Sequence, residues 1–301
     1  MSSHGKAGPL PELGVIGWPL QLTFSPPMQI AALRKAALDW RYEAMPVSPE
    51  ELTGFISNAA ATMRGFNVTI PHKSAVRIAC SVVDDLASRC DAVNTVVCVR
   101  SQGRNRLEGH NTDGPGLLKA LSLRTGFEPS GSSVLVLGAG GAAAGAAAAL
   151  ARCGSSTITI ANRTEPRAAI LVDKMRAMFP KTTWLCAALN EEAPCRPEAC
   201  CARHHIDLVI NCMPEEPSAR LGRLLEAVCT NGPAFCDMSY SYGPTALLDV
   251  ASDIGYRVVP GLEMLLWQGV YAFEIFTRRP AVVDAMRDAL TAVAGEWWLK
   301  C

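Results

Sequence analysis

Short apolar runs alternate with stretches of helical spacing along the first third of the chain. Leu13 to Gly17 predicts a strand and Pro26 to Leu38 a helix. Tyr42 to Val47 reads as a strand, Pro49 to Ala61 as a helix, Phe66 to Ile70 as a strand, and a further helix starts near His72. Strand and helix in strict alternation argue for a parallel or mixed sheet covered by helices.

A second series begins near Gly131. SVLVL, Ser133 to Leu137, is a buried strand, and Gly140 to Cys153 is an alanine-rich helix. TITIA, Thr157 to Ala161, is a strand, Glu165 to Phe179 a helix, and DLVIN, Asp207 to Asn211, another strand. Ala234 to Met238 adds one more. Helical stretches follow from Glu263 to Phe276 and from Pro280 to Leu299, with Pro280 suited to a first helical turn. Two α/β units therefore meet near Asn111 to Gly116, where Gly114-Pro115-Gly116 punctuates the chain.

The start of the second unit carries chemistry. GAGGAA, Gly138 to Ala143, follows a buried strand and opens a helix. Gly138 permits a tight turn, Gly140 lets backbone approach a pyrophosphate, and the small residues beyond let helix and strand pack closely. The helix N-terminus offers unpaired N–H groups to phosphates. This is a dinucleotide site, with Gly138, Ala139, Gly140, Gly141 and Ala142 as its turn. The next strand ends on Asn162-Arg163-Thr164, with Arg167 close behind. A site for NAD places a carboxylate there to hold the ribose 2′-hydroxyl. An arginine pairs instead with a 2′-phosphate, and Thr164 adds a hydroxyl. NADP is the expected cofactor. Glu165 dissents by charge but suits the first turn of a helix.

Charge changes the picture by exclusion. The 301 residues carry 28 bases and 28 acids, so no overall field points to nucleic acid or an anionic membrane as partner. No run is apolar and long enough to span a bilayer, and the first residues, MSSHGKAGPLPE, read as a disordered tail without a secretory core. Twelve scattered cysteines fit reduced thiols in a cytoplasmic protein. Cys195, Cys200, Cys201, His204 and His205 have residue types that suit zinc, but their spacing does not. No metal is expected, and Glu192 to His205 reads as an irregular insertion.

The first unit holds polar residues at strand ends, where α/β folds bind ligands. NVTIPHK, Asn67 to Lys73, AVNT, Ala92 to Thr95, and HNTDGPG, His110 to Gly116, supply amides, hydroxyls, a lysine and a carboxylate. Dehydrogenation of an alcohol sends a hydride to a nicotinamide and a proton to a base, and Lys73 and Asp113 suit the second task. Burial and mutual attraction act in opposite directions on the lysine, so the base is either Lys73 or the coupled pair.

These motifs, in order with GWPLQLTFSP, ANRT, DMSYSYGPT and GLEMLLWQGVYAFE, resemble shikimate dehydrogenases from about Gly14 to Ala281. The resemblance implies an N-terminal α/β substrate domain with a mixed sheet (1–113 and 265–301) and a Rossmann NADP-binding domain (114–264), with the C-terminal helices returning to the substrate domain. It implies reversible reduction of 3-dehydroshikimate to shikimate with NADPH, in aromatic amino-acid biosynthesis. Lys73 and Asp113 match the family's catalytic pair. Thr23, Ser25, Asn67, Thr69, Asn94, Tyr240 and Gln268 fall on substrate positions. The glycine-rich turn, Asn162, Arg163, Thr164, Arg167, Gly261 and Met264 fall on cofactor positions.

Three departures stand out. Thr23-Phe24-Ser25 replaces a Ser-x-Ser pair, and the added methyl bears on shikimate against the bulkier quinate. Asn211-Cys212-Met213-Pro214-Glu215-Glu216 loses a small hydroxyl and a glycine near the cofactor. Glu263 puts an acid beside the nicotinamide-end motif. A quinate/shikimate dehydrogenase is the near alternative. A ligand sensor of the same fold and a methylene-tetrahydrofolate dehydrogenase-like enzyme are more distant ones, and monomer and homodimer both stay open.

Overall fold

The computed structural model describes residues 10–101, 104–189, 205–213, 218–228 and 232–301. The tail at 1–9 and most of the expected insertion, including Cys195, Cys200, Cys201 and His204, lie outside the described residues. The chain forms two compact units, 1–112 with 269–293, and 113–268 with 294–301.

The first unit contains β1 (Leu13–Gly17), α1 (Ser25–Lys35), β2 (Tyr42–Pro46), α2 (Leu52–Thr62), β3 (Gly65–Val68), α3 (Lys73–Ala79), β4 (Val82–Val83), α4 (Asp85–Cys90), β5 (Thr95–Ser101) and β6 (Arg104–His110). Its sheet runs β2-β1-β3-β5-β6-β4. β1 is parallel to β2 and β3, whereas β5 is antiparallel to both β3 and β6, so the sheet is mixed as expected. Ile16, Phe66, Val68, Val96 and Leu107 from the strands share a core with Val93 and with Leu52, Ala59 and Met63 around α2. Phe55 of α2 meets Phe66 edge to face, with centroids 5.3 Å apart. At Gly65 a side chain would strike Val96 O at 2.4 Å, so β3 and β5 approach closely there.

The second unit contains α5 (Asp113–Thr125), β7 (Ser133–Leu137), α6 (Gly141–Arg152), β8 (Thr157–Asn162), α7 (Glu165–Met178), β9 (Thr183–Ala188), β10 (Leu208–Asn211), α8 (Ser218–Val228), β11 (Ala234–Asp237), α9 (Ala246–Asp253), β12 (Arg257–Val259) and α10 (Gly261–Thr277), whose last residues belong to the first unit. α11 (Val283–Ala294) follows, then a short 3₁₀ turn, Trp297–Leu299. The sheet is parallel throughout, in the order β12-β11-β10-β7-β8-β9. Counted from β7, this is the Rossmann order, with its switch point between β7 and β10. Leu135, Val209 and Phe235 of the strands pack with Leu224 and Leu225 of α8 and Leu247 and Leu248 of α9. No helix among the described residues is long and apolar enough to cross a membrane.

The chain end differs from the single helix expected over Pro280 to Leu299. Gly295 takes a positive φ of 84° and breaks it. Residues 294–301 then join the second unit rather than the first. The physical reason is Arg124, which donates to the carbonyls of Trp298 and Leu299, while the Trp298 side chain is wholly buried.

Truncating Phe66 removes the largest side chain shared by α2 and the first sheet. Phe66→Ala is expected to destabilise the first unit by about 3–5 kcal/mol, read from urea unfolding. A change below ~1 kcal/mol would mean that this cluster does not hold the unit together.

Candidate active site

In the first unit the motif residues gather at the ends of β3 and β5 and form a buried polar ladder. Asn67 donates through Nδ2 to Asn94 O (3.1 Å) and Thr95 Oγ1 (3.0 Å), and its Oδ1 accepts from the Tyr42 hydroxyl at 2.7 Å. Asn94 accepts at Oδ1 from Thr112 N (2.8 Å) and donates through Nδ2 to Thr112 Oγ1 (2.9 Å). Buried amides are stable only when satisfied in this way. The ladder ties β3 and β5 to the segment that immediately precedes Asp113.

That segment has a second anchor. The Asp84 carboxylate accepts from Ala87 N (2.7 Å), capping α4, and from Asn111 N (3.0 Å), and it lies 3.4 Å from His110 Nδ1. Asn111 Nδ2 donates to Ala92 O at 2.9 Å. Burial alone would push the Asp84 carboxyl up. The His110 and backbone hydrogen bonds outweigh it and hold the group below its ordinary 3.8. Sequence reading missed Asp84, Tyr42, Thr95 and Thr112. Asp84 had a signal, an acid directly before a short helix.

Lys73 is half-buried at the start of α3, and its carbonyl accepts from Val93 N at 3.1 Å. Its neighbour His72 is buried and hydrogen-bonds Val47 O through Nε2 at 2.7 Å. Thr23 and Ser25 stand at the entrance to α1. Thr23 Oγ1 accepts from Ser25 N at 3.3 Å, which leaves the threonine proton for an external acceptor. Thr69 N bonds Ile16 O at 2.8 Å, placing it beside the end of β1.

In the second unit, Asp113 opens α5 and Gln268 lies in α10. A side chain at Gly116 would meet Gln268 N at 2.6 Å, so the two helices touch there. Burial pushes the Tyr240 phenol up, and the nearby Asp113 carboxylate pushes it further. Tyr240 is therefore a neutral hydrogen-bonding group at neutral pH.

The glycine-rich turn has the required conformation. Gly138 has φ of +110°, which L side chains rarely adopt, and its N–H bonds Ala161 O at 2.7 Å. Side chains placed at Gly140 or Gly141 would meet nothing within 4 Å, so the N-terminus of α6 faces open space. At the end of β8, Asn162 Nδ2 donates to Thr164 O at 2.9 Å and shapes the loop. Arg163, Thr164 and Arg167 are exposed. Neither arginine has an acidic partner among the described residues. An open phosphate cradle beside two uncommitted arginines fits a dinucleotide with a 2′-phosphate.

The departures acquire physical roles. Met213 Cγ would lie 3.2 Å from a side chain on Gly138, so this loop residue borders the turn; 214–216 lie outside the described residues. Asn211 is held by Asp237 Oδ1 (3.0 Å) and Met213 N (3.1 Å). Gly261 packs on the Ser239 carbonyl, which a side chain would strike at 2.3 Å, and Met264 is buried. Glu263 is buried too, bonded to Trp267 Nε1 at 2.9 Å. His205, the described member of the cysteine–histidine cluster, lies 3.3 Å from Asp207.

Family models match along the chain. Residues 15–96 match the shikimate dehydrogenase substrate binding domain, and 261–291 the shikimate 5′-dehydrogenase C-terminal domain. Residues 134–263 match the saccharopine dehydrogenase NADP binding domain. The NADP(+) shikimate dehydrogenase of Methanopyrus kandleri is 36% identical over 287 residues, covering 92% of this chain and 94% of the relative. The chain belongs to the shikimate dehydrogenase family. Among solved structures, the family's Listeria monocytogenes enzyme with shikimate and NAD has a TM-score of 0.80 at 30% identity, covering 93% of this chain and 96% of that one. The ligand-free 5-ketofructose reductase of Gluconobacter sp. strain CHM43 has a TM-score of 0.78 at 29% identity, covering 93% and 98%. The fold of the family thus also carries a reductase for a different ketone.

Asp84 supplies a pH test of the loop before Asp113. An acid with a depressed folded pKa adds stability above its unfolded value, and that stability is lost as pH falls through the folded one. Asp84→Asn is therefore expected to be less stable at neutral pH and to lose less stability than the parent on acidification below about pH 4. Urea unfolding across this range checks it, and parallel curves would show that Asp84 is not the group titrating.

Proposed function

We propose that this chain is an NADP-dependent shikimate dehydrogenase that interconverts 3-dehydroshikimate and shikimate. The observation that carries the reading is kinship over nine-tenths of the chain with NADP(+) shikimate dehydrogenases, combined with Arg163 and Arg167 after β8, which have no acidic partner among the described residues. The N–H groups opening α6 meet the pyrophosphate. Arg163, Arg167 and the Thr164 hydroxyl hold the 2′-phosphate. Gly261 and Met264 border the nicotinamide. When bound, NADPH supplies the hydride for the ketone carbon.

The chain's own residues manage the proton and the ring. Lys73 and Asp113 share the proton that the ring oxygen gains in reduction and loses in oxidation. Thr23 and Ser25 donate hydroxyls to the ring carboxylate. Asn67, Thr69, Asn94, Tyr240 and Gln268 meet the ring hydroxyls. A site of fixed donors rejects analogues that leave them unpaired. The Thr23 methyl favours a second reading, quinate as an additional or better substrate, because it reshapes the carboxylate side.

Initial rates with shikimate and quinate, each with NADP and NAD, decide between the readings. Shikimate with NADP is expected to give the highest kcat/KM; quinate with NAD as the best pair would overturn this. Lys73→Ala should lower kcat by roughly 10²–10⁴-fold with cofactor affinity nearly unchanged. A variant that keeps most of its activity removes Lys73 from proton transfer. Arg163→Ala should weaken NADP by about 10- to 100-fold and leave NAD nearly unaffected. Equal losses for both would reject the 2′-phosphate role.

A further inference from the structure

α5 and α10 pack antiparallel through three contacts. Gly116 touches the Gln268 backbone, Lys119 Nζ lies 5.3 Å from the centre of the Trp267 ring, and Arg124 Nε lies 3.7 Å from Glu263 Oε2. The first contact is a pivot, since a side chain at Gly116 would lie 2.6 Å from Gln268 N and 2.9 Å from its Cα. The last lies about 12 Å further along α5. A pivot alone leaves the crossing angle and register free, and a second fixed point removes that freedom.

The second point is a charge pair whose acid is buried and whose arginine is partly exposed. Glu263 is 2% exposed and engaged from two sides, by Trp267 Nε1 at 2.9 Å and by Arg124. Arg124 also holds the carbonyls of Trp298 and Leu299. Separating the pair would leave a charge buried without its partner, which is strongly unfavourable, so α10 cannot slide or swing away from α5 at this end. Glu263 sits between Gly261 and Met264, and five residues before Gln268.

We propose that Glu263, Arg124 and Trp267 form a positioning cluster that sets Gln268 on α10 relative to Asp113 on α5. This rests on the reading of Asp113 and Gln268 as active-site groups. None of the three cluster residues needs to touch substrate. Their effect is geometric, and active sites are sensitive to displacements of an ångström.

Glu263→Gln keeps the shape and the Trp267 acceptor but removes the charge, and Trp267→Phe keeps a ring for Lys119 but removes the indole donor. Both are expected to lower kcat/KM for shikimate by about tenfold while the Kd for NADP stays within about twofold. Amide exchange over 261–268 should quicken in both. The double variant Arg124→Met with Glu263→Leu, which removes both charges, should recover melting temperature but not kcat/KM. If the single variants melt earlier yet turn over normally at low temperature, or if the double variant restores turnover as well, the cluster is only structural and the proposal fails. Absence of turnover in the unmodified protein with both shikimate and quinate would instead reject the functional reading. Amide exchange then still decides whether the cluster fixes α10, and unchanged exchange overturns it.

Discussion

The first unit depends on one constraint, that an amide removed from water must find its hydrogen bonds inside the protein. Its strand ends are crowded with polar residues, and the structure meets their demand largely from within. Tyr42, Asn67, Thr95, Asn94 and Thr112 satisfy one another in sequence. Asn67 commits both of its N–H donors to this ladder, so toward a ligand it offers only an acceptor. The ladder's product is a rigid frame at the ends of β3 and β5, with Lys73 on one side and the approach to Asp113 on the other. Loops placed by such networks keep their geometry because every alternative leaves a buried group unpaired.

The second unit solves a different problem, that of leaving backbone donors unsatisfied until a ligand arrives. The turn at Gly138 reverses the chain between β7 and α6 in a conformation with positive φ. It delivers the first N–H groups of α6 to open space. Unpaired donors at a helix N-terminus are tolerable only where water or an anion reaches them. On the neighbouring strand, Asn162 braces the loop from which Arg163 and Arg167 extend. Backbone donors and adjacent cations together suit the phosphates of a dinucleotide.

Much of this was legible in sequence because the signals were periodic or chemically distinctive. SVLVL followed by GAGGAA can hardly read as anything other than strand, turn and helix, and β7 and α6 lie there. β5 carried a strand signal in TVVCV that was not read, whereas β6 was not legible. Arg104, Asn105 and Arg106 give β6 an exposed, polar start without alternation, so its strand character comes from pairing with β5. β12 has only three residues and takes its conformation from β11. Of the candidate site, the motifs named the residues proposed to meet ligands but not those that hold them in place. Asp84 and Arg124 act over long sequence separations, through Asn111 and Glu263 respectively. No local pattern encodes such partners.

The departures from the family pattern bear on specificity in unequal ways. Glu263, read from sequence as an acid near the nicotinamide, spends its carboxyl on Trp267 and Arg124. Met213 covers the inner side of the Gly138 turn, where a side chain on that glycine would crowd it. Both changes are absorbed by packing within the second unit. Thr23 differs, because its oxygen accepts from Ser25 N at the entrance to α1 and its hydroxyl donates no hydrogen bond among the described residues. A methyl in a carboxylate site alters shape without altering charge. In the proposed carboxylate site, one methyl group contributes on the order of 1 kcal/mol to the balance between ring acids. Arg163, in the loop after β8, and Arg167, on α7, lie far in sequence from Thr23. The residues proposed for substrate preference and those proposed for cofactor preference thus belong to separate elements of the fold.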